Sequence, residues 1–248
     1  MKNRIATRIS AIAPSLTLAI SAKAKAMKEA GESVVSFGVG EPDFNTPEHI
    51  VDAAKSALDS GYTKYTPSSG LLSLRKSIAE KFKKDNGLDY EPSQIIVSNG
   101  AKHSIFNACY AVIEEGDEVI IPAPYWLTYP EVVKVCGGVP KYIECAKENK
   151  FKFTAEELEK AITPKTKMLI FNSPSNPTGA VYNEEEVRAI AKVCVENEIF
   201  VLSDEIYEKL CYNGAKHFSI GACSEEMYNL TVTINGVSKS YAMTGWRI

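Results

Sequence analysis

An α/β fold with a mostly parallel sheet covered by helices is what this sequence predicts, on three observations. From Ser33 onward, short β-branched runs alternate with longer amphipathic stretches, the rhythm of successive βα units. Several short runs, such as Ile199-Phe200-Val201-Leu202, carry too little polarity to face water, as expected of strands buried on both sides. Finally, 248 residues at 45% apolar and 24% charged lie in the ordinary globular range and exclude disorder, collagen and coiled coil. A chain of this length buries roughly 70–75% of its unfolded surface, enough for a large core without metals or disulfides.

At the N-terminus, Lys2, Arg4 and Arg8 lead into an uncharged stretch, Ile9 to Ala22, and Ala22-Lys23-Ala24 imitates a signal cleavage site. Pro14 and several Ser/Thr residues make it a poor secretory core, and it is too short to span a bilayer. It reads as an arm leading into a helix, and the protein as cytoplasmic. Strands are then predicted at Val34–Val39, Gln94–Ser98, Glu118–Pro122, Val139–Cys145, Met168–Asn172, Ile199–Ser203 and Leu230–Asn235, and helices at 47–60, 71–85, 101–113, 127–136, 154–162 and 183–197. Thr154-x-x-Glu157 and Asn183-x-x-Glu186 are capping-box signatures for the last two helices.

A net charge of −3 argues against duplex DNA or an anionic membrane as the main partner, since phosphate surfaces need clustered excess Lys and Arg. The six cysteines form no C-x-x-C pair and read as buried, reduced thiols, and the three histidines show no zinc spacing with one another or with Cys. Metal chemistry therefore has little raw material in the spacing, and a small-molecule partner is expected.

In parallel sheets, ligands collect at the carboxyl ends of the strands. Ser98-Asn99-Gly100-Ala101-Lys102 is a small-residue turn opening into a helix, either a phosphate cradle or a tight turn needing only its glycine. Asn172-Ser173-Pro174-Ser175-Asn176-Pro177-Thr178-Gly179 is a stiff loop that can hold the Asn176 amide, or simply a turn. Asp204 ends a buried strand, where a carboxylate needs a cation or a helix-capping role. Lys239, set among small and apolar residues past the last predicted strand, loses hydration and becomes a better nucleophile. With Arg247 nearby, a Schiff-base lysine, a carboxylate for a pyridinium nitrogen and phosphate grips together describe pyridoxal 5'-phosphate.

At these residues the sequence resembles the class I aminotransferases of fold type I, the aspartate aminotransferase superfamily, from the arm to the last residue. Separated motifs occur in the family's order: Gly40-Glu41-Pro42-Asp43-Phe44, Tyr65-Thr66-Pro67 with Gly70, the 98–102 turn, Pro124-Tyr125-Trp126, Asn176-Pro177-Thr178-Gly179, Ser203-Asp204-Glu205-Ile206-Tyr207, and Ser238-Lys239 to Arg247. The resemblance implies a three-layer αβα large domain over 46–248, with 1–45 forming the arm and part of a small α/β domain. It also implies that Lys239 is the catalytic residue, that Asp204 pairs with the pyridinium, that Asn176 and Tyr207 bond the ring's phenolic oxygen, and that Trp126 stacks on the ring.

The phosphate would be held by Gly100, Ala101, Lys102 and Arg247, and by Tyr65 from the neighbouring subunit, so a homodimer is implied. Many relatives carry Ser or Thr three residues before the lysine, where this chain has Gly236. Gly40, Lys102, Trp126 and Asn176 would meet the substrate. The bacterial-type aspartate aminotransferases are the nearest resemblance, which implies aspartate and 2-oxoglutarate. Some of them also use prephenate and carry a lysine where Ala13 aligns, which makes that activity the lesser expectation.

Rival readings are another fold type I enzyme, such as an aromatic or alanine aminotransferase, a C–S lyase or an aminocyclopropane-type synthase, an inactive fragment, or a regulator that keeps the ligand domain. A regulator would carry an N-terminal DNA-binding module, whereas this chain begins with the aminotransferase arm. The family continues beyond Trp246-Arg247-Ile248 into a further strand, a connecting helix and the arginine for the substrate α-carboxylate. The expectation is therefore an incomplete polypeptide that transaminates poorly alone.

Overall fold

The computed structural model describes residues 4–38 and 40–248. Its centre is a five-stranded, wholly parallel sheet of β1 (Glu118–Ala123), β2 (Val139–Glu144), β3 (Thr166–Asn172), β4 (Phe200–Asp204) and β5 (Thr231–Ile234). The order is β2-β1-β3-β4-β5, so the chain reverses its direction of travel across the sheet at β1. Ten helices are formed among the described residues: α1 (Thr7–Ser10), α2 (Leu16–Glu29), α3 (Glu48–Asp59), α4 (Leu72–Asn86), α5 (Ala101–Val112), α6 (Thr128–Val135), α7 (Ala155–Ala161), α8 (Glu184–Glu196), α9 (Glu225–Asn229) and α10 (Val237–Ser240).

Side chains alternate across the strands, and both faces of the central strands β1, β3 and β4 are covered, while the edge strand β2 is mostly exposed. Val119, Ile121, Met168, Ile170 and Leu202 pack with Ile105 and Cys109 of α5 and Tyr129, Val132 and Val133 of α6. On the other face, Ile120, Leu169, Phe171 and Val201 pack with Leu158 of α7 and Val187, Ile190 and Cys194 of α8. This three-layer arrangement explains the strands' continuous apolar sequence. Both predicted capping boxes form: Thr154 Oγ1 accepts from Glu157 N at 3.2 Å while Glu157 Oε2 accepts from Thr154 N at 2.8 Å, and Asn183 and Glu186 do the same at 2.9 and 2.8 Å.

Among the described residues two predicted strands do not form. Residues 34–38 have no regular structure, and Val39, like Lys2, lies outside the described residues. Gln94–Ser98 becomes a short 3-10 turn at Pro92–Gln94 followed by an extended segment. That segment joins no ladder; Val97 N bonds instead to Ser69 O at 3.0 Å. β-branched composition makes a segment extended, but only a neighbouring strand makes it a strand. Of the cysteines, all free, Cys109, Cys145 and Cys194 are buried while Cys136, Cys211 and Cys223 are only partly so. No described helix is long and apolar enough to cross a membrane.

Candidate functional site

The carboxyl ends of β1, β3, β4 and β5 converge on one edge of the sheet, beside the reversal point where parallel sheets bind ligands. At this edge α5 begins at Gly100 with no side-chain cap and no acidic residue in its first turn. Its leading N–H groups and the positive end of its dipole are therefore available to an anion. Arg247 lies against the same turn: Nη2 donates to Asn99 O at 3.3 Å and Nη1 to Thr244 O at 2.9 Å. Gly100 has φ of 78°, and a Cβ there would come within 2.5 Å of Arg247 Nη2. The conformation thus favours glycine, and a larger residue would also push the flexible Arg247 guanidinium aside, at the point where the two predicted phosphate grips meet.

Asp204 is 2% exposed. Its Oδ2 accepts from the Tyr129 hydroxyl at 2.7 Å and its Oδ1 from Ile206 N at 3.2 Å, and no cation pairs with it among the described residues. Burial pushes its carboxyl up to about 6, against the pull of those two hydrogen bonds. A buried carboxylate without a counter-charge is a cost that a cationic ring would remove. Asn172 at the end of β3 braces the site, donating from Nδ2 to Asp204 O at 2.8 Å and accepting from Asn176 N at 2.8 Å. Asn176 Nδ2 in turn reaches the Tyr207 hydroxyl at 3.4 Å, so the two residues expected to share one oxygen of a ligand stand side by side.

Lys239 sits in α10 with Nζ 5.8 Å from the centre of the Tyr207 ring. Burial lowers its pKa, opposed by the nearby Glu41 carboxylate, which is the direction that frees an amine for nucleophilic work. Nζ donates to Gly40 O at 2.9 Å, joining two predicted site residues through backbone. Lys102 Nζ lies 5.0 Å from the centre of the Trp126 ring, a cation–π pair that places both at the mouth of the α5 turn. Tyr65, by contrast, is fully exposed, and Gly236 is an extended N-cap residue packed against Ile206.

The donor set fits pyridoxal phosphate: an uncapped helix end with a guanidinium, a buried carboxylate lacking a cation, and a desolvated amine. Sequence reasoning missed Tyr129, although it follows Trp126 by three residues and lies in the first turn of α6, where its ring meets the indole. It also missed a second polar cluster, in which ligand atoms of Glu205, Glu208 and His217 lie within 4.8 Å of one another. There the Asn86 amide donates to Glu205 at 3.0 Å and to Glu208 at 2.7 Å, and Lys81 pairs with Glu208. These donors already satisfy the carboxylates, and the cluster locks α4 to the segment after β4.

Residues 32–248 match the family described as aminotransferase class I and II. The chain is 59% identical over 248 residues to an aspartate aminotransferase of Bacillus sp. (strain YM-2), covering 100% of this chain and 63% of that protein. It is 57% identical over 245 residues to an aspartate aminotransferase of Bacillus subtilis (strain 168), covering 99% and 62%. The solved aspartate aminotransferase from Thermus thermophilus with maleate superposes with a TM-score of 0.95 at 46% identity, covering 98% of this chain and 63% of that one. The chain thus spans a little under two thirds of the length of the relatives it matches.

Proposed function

The chain belongs to the class I and II aminotransferase family, and on that premise we propose that it serves pyridoxal-phosphate-dependent transamination between L-aspartate and 2-oxoglutarate. The observation that carries this reading is the meeting, at one sheet edge, of the Arg247-backed α5 turn, the uncompensated Asp204 carboxylate and the desolvated Lys239 amine.

Gly100, Ala101, Lys102 and Arg247 would hold the phosphate, Asp204 the ring nitrogen, Asn176 and Tyr207 the phenolic oxygen, and Trp126 the ring face. When bound, pyridoxal phosphate supplies an electron sink for the bonds at the substrate's Cα. Lys239 Nζ would hold the cofactor covalently and, once displaced from it by the substrate's amine, would carry the proton taken from substrate Cα. Gly40, Trp126 and Asn176 orient the amino acid, and Lys102 favours a second carboxylate by charge. The Bacillus relatives are named aspartate aminotransferases, and the Thermus structure holds maleate, itself a dicarboxylate; both support the acidic substrate.

Residues 46–248 form the cofactor-binding large domain in this reading, and 1–45 the arm and small-domain segment. The functional unit is a cytoplasmic homodimer in which the exposed Tyr65 reaches the partner's phosphate site. The test is the absorbance spectrum of the protein with pyridoxal phosphate, before and after aspartate. A chromophore bound through Lys239 that aspartate converts to the amine form, with oxaloacetate released, is expected. Release of ammonia instead would assign a lyase, and no chromophore would refute the reading.

A further inference from the structure

Tyr129 is 2% exposed and lies in the first turn of α6. Its hydroxyl is buried with it and donates to Asp204 Oδ2 at 2.7 Å. Burying a phenol hydroxyl costs free energy that phenylalanine would avoid unless the hydrogen bond does something. The same ring meets Trp126 edge-on at 5.5 Å and 88°. One side chain therefore touches both the carboxylate assigned to the cofactor's ring nitrogen and the indole assigned to its face.

The phenol is an obligate donor, because burial and the Asp204 charge raise its pKa well above 10. With Ile206 N on Oδ1, the carboxylate has fixed contacts from α6 and from the turn after β4, while Asn172 Nδ2 of β3 holds the Asp204 backbone carbonyl. A carboxylate has about four lone-pair positions. Two are filled by these donors, and the rest remain for a ligand.

We propose that Tyr129 is a positioning residue of the cofactor site, its hydroxyl holding Asp204 in the orientation that receives the ring nitrogen. This rests on the cofactor reading above. A hydrogen bond to a charged acceptor is among the stronger polar contacts, and losing it frees Asp204 to rotate or to take up a proton rather than to pair with the ring.

The test compares Tyr129→Phe with the unaltered protein by absorbance titration with pyridoxal phosphate and, separately, with its 1-deaza analogue, in which the ring nitrogen is replaced by C–H. Phe keeps the ring and its contact with Trp126, and thermal unfolding of both proteins checks that the fold is retained. The expected result is a loss of pyridoxal phosphate affinity of roughly tenfold or more, with the 1-deaza analogue changing less than twofold. In an Asp204→Asn background, Tyr129→Phe should add less than twofold. Equal losses for the two cofactors in a variant that melts normally, or no loss for either, would overturn the proposal while leaving the cofactor reading intact. Failure of the unaltered protein to take up pyridoxal phosphate would overturn both.

Discussion

Among the described residues from 4 to 81 no side chain is buried; the core begins at Phe82 and runs to Met243. The two regions do not differ in amphipathic patterning. α3 places apolar residues on one stripe as regularly as α8 does, yet α3 buries none of them and α8 buries Val187, Ile190, Ala191, Val193 and Cys194. Ile5, Ile9, Leu16, Leu18, Val35, Phe37, Phe44, Tyr62 and Tyr65 are all exposed. A hydrophobic stripe states that a face is made to be covered, not what covers it. Near the site the N-terminal region is held by polar stitches: Thr46 Oγ1 donates to Ala242 O at 2.6 Å, Trp246 Nε1 to Thr46 Oγ1 at 3.1 Å, Thr244 Oγ1 to Glu41 at 2.6 Å and Lys239 Nζ to Gly40 O at 2.9 Å.

The largest effect should come where the regions touch. Lys239→Ala is expected to abolish cofactor linkage and turnover while leaving the sheet's unfolding free energy within about 1 kcal/mol, since Lys239 contributes no core packing. Borohydride trapping followed by peptide mapping checks it. Cofactor reduced onto another lysine would move the catalytic centre away from the junction.

Asp204 tests the sheet side alone. Its folded pKa, about 6 against an ordinary value of 3.8, means that ionisation costs the cofactor-free fold. The penalty is absent below about pH 4, grows as the pH rises through 4–6 and is complete above that window. At 1.36 kcal/mol per unit it amounts to about 2–3 kcal/mol. Asp204→Asn should therefore flatten stability between pH 4 and 6 in the cofactor-free protein and also weaken pyridoxal phosphate binding severely. Urea unfolding at several pH values reads the first effect and cofactor titration the second. An unchanged pH profile would mean that the carboxylate is already compensated.

The contrast also marks what the sequence could reveal. β1, β3 and β4 were legible because they are buried on both faces, whereas β2, an edge strand with most of its side chains exposed, was legible from its β-branched and aromatic residues alone. The helices from α3 to α8 were legible from period and, for α7 and α8, from caps, while α9 and α10 are too short to show a period. The predicted strands at 34–39 and 94–98 failed because pairing is a property of two segments and the reading saw one. Lys239, Asp204, Asn176 and Arg247 were singled out through the rule that strand ends carry ligands, helped by motif order. Tyr129 was not, because an aromatic on an apolar helix looks like core until its hydroxyl is seen against Asp204. Nor was the meeting of His217 with Glu205 visible, since Asn86, which completes that cluster, comes from α4, far back in the chain.

Inside the core, Leu169→Ala should lower stability by about 2–5 kcal/mol, the range for deleting a buried aliphatic side chain, because Leu169 is fully buried between the sheet and α8. Denaturant unfolding measures it. A loss below 1 kcal/mol would show that this layer can collapse around the gap and is not the rigid body against which the N-terminal region was contrasted.

The smallest effect on folding, and the sharpest use of the comparison, belongs to the arm. Ile9 is 45% exposed and Leu18 67%, so replacing both by Ser removes little burial within the chain and should change unfolding free energy by no more than about 0.5 kcal/mol when the protein is dilute. If the exposed stripe is the seat of the proposed homodimer, the same double substitution should raise the dimer dissociation constant by tenfold or more, because apolar side chains buried between copies contribute about 25 cal/mol per Å². Sedimentation velocity over a concentration series separates the two quantities. A variant that dimerises normally but unfolds more easily at every concentration would show that the arm belongs to the fold of its own chain after all, and the division at Phe82 would lose its meaning.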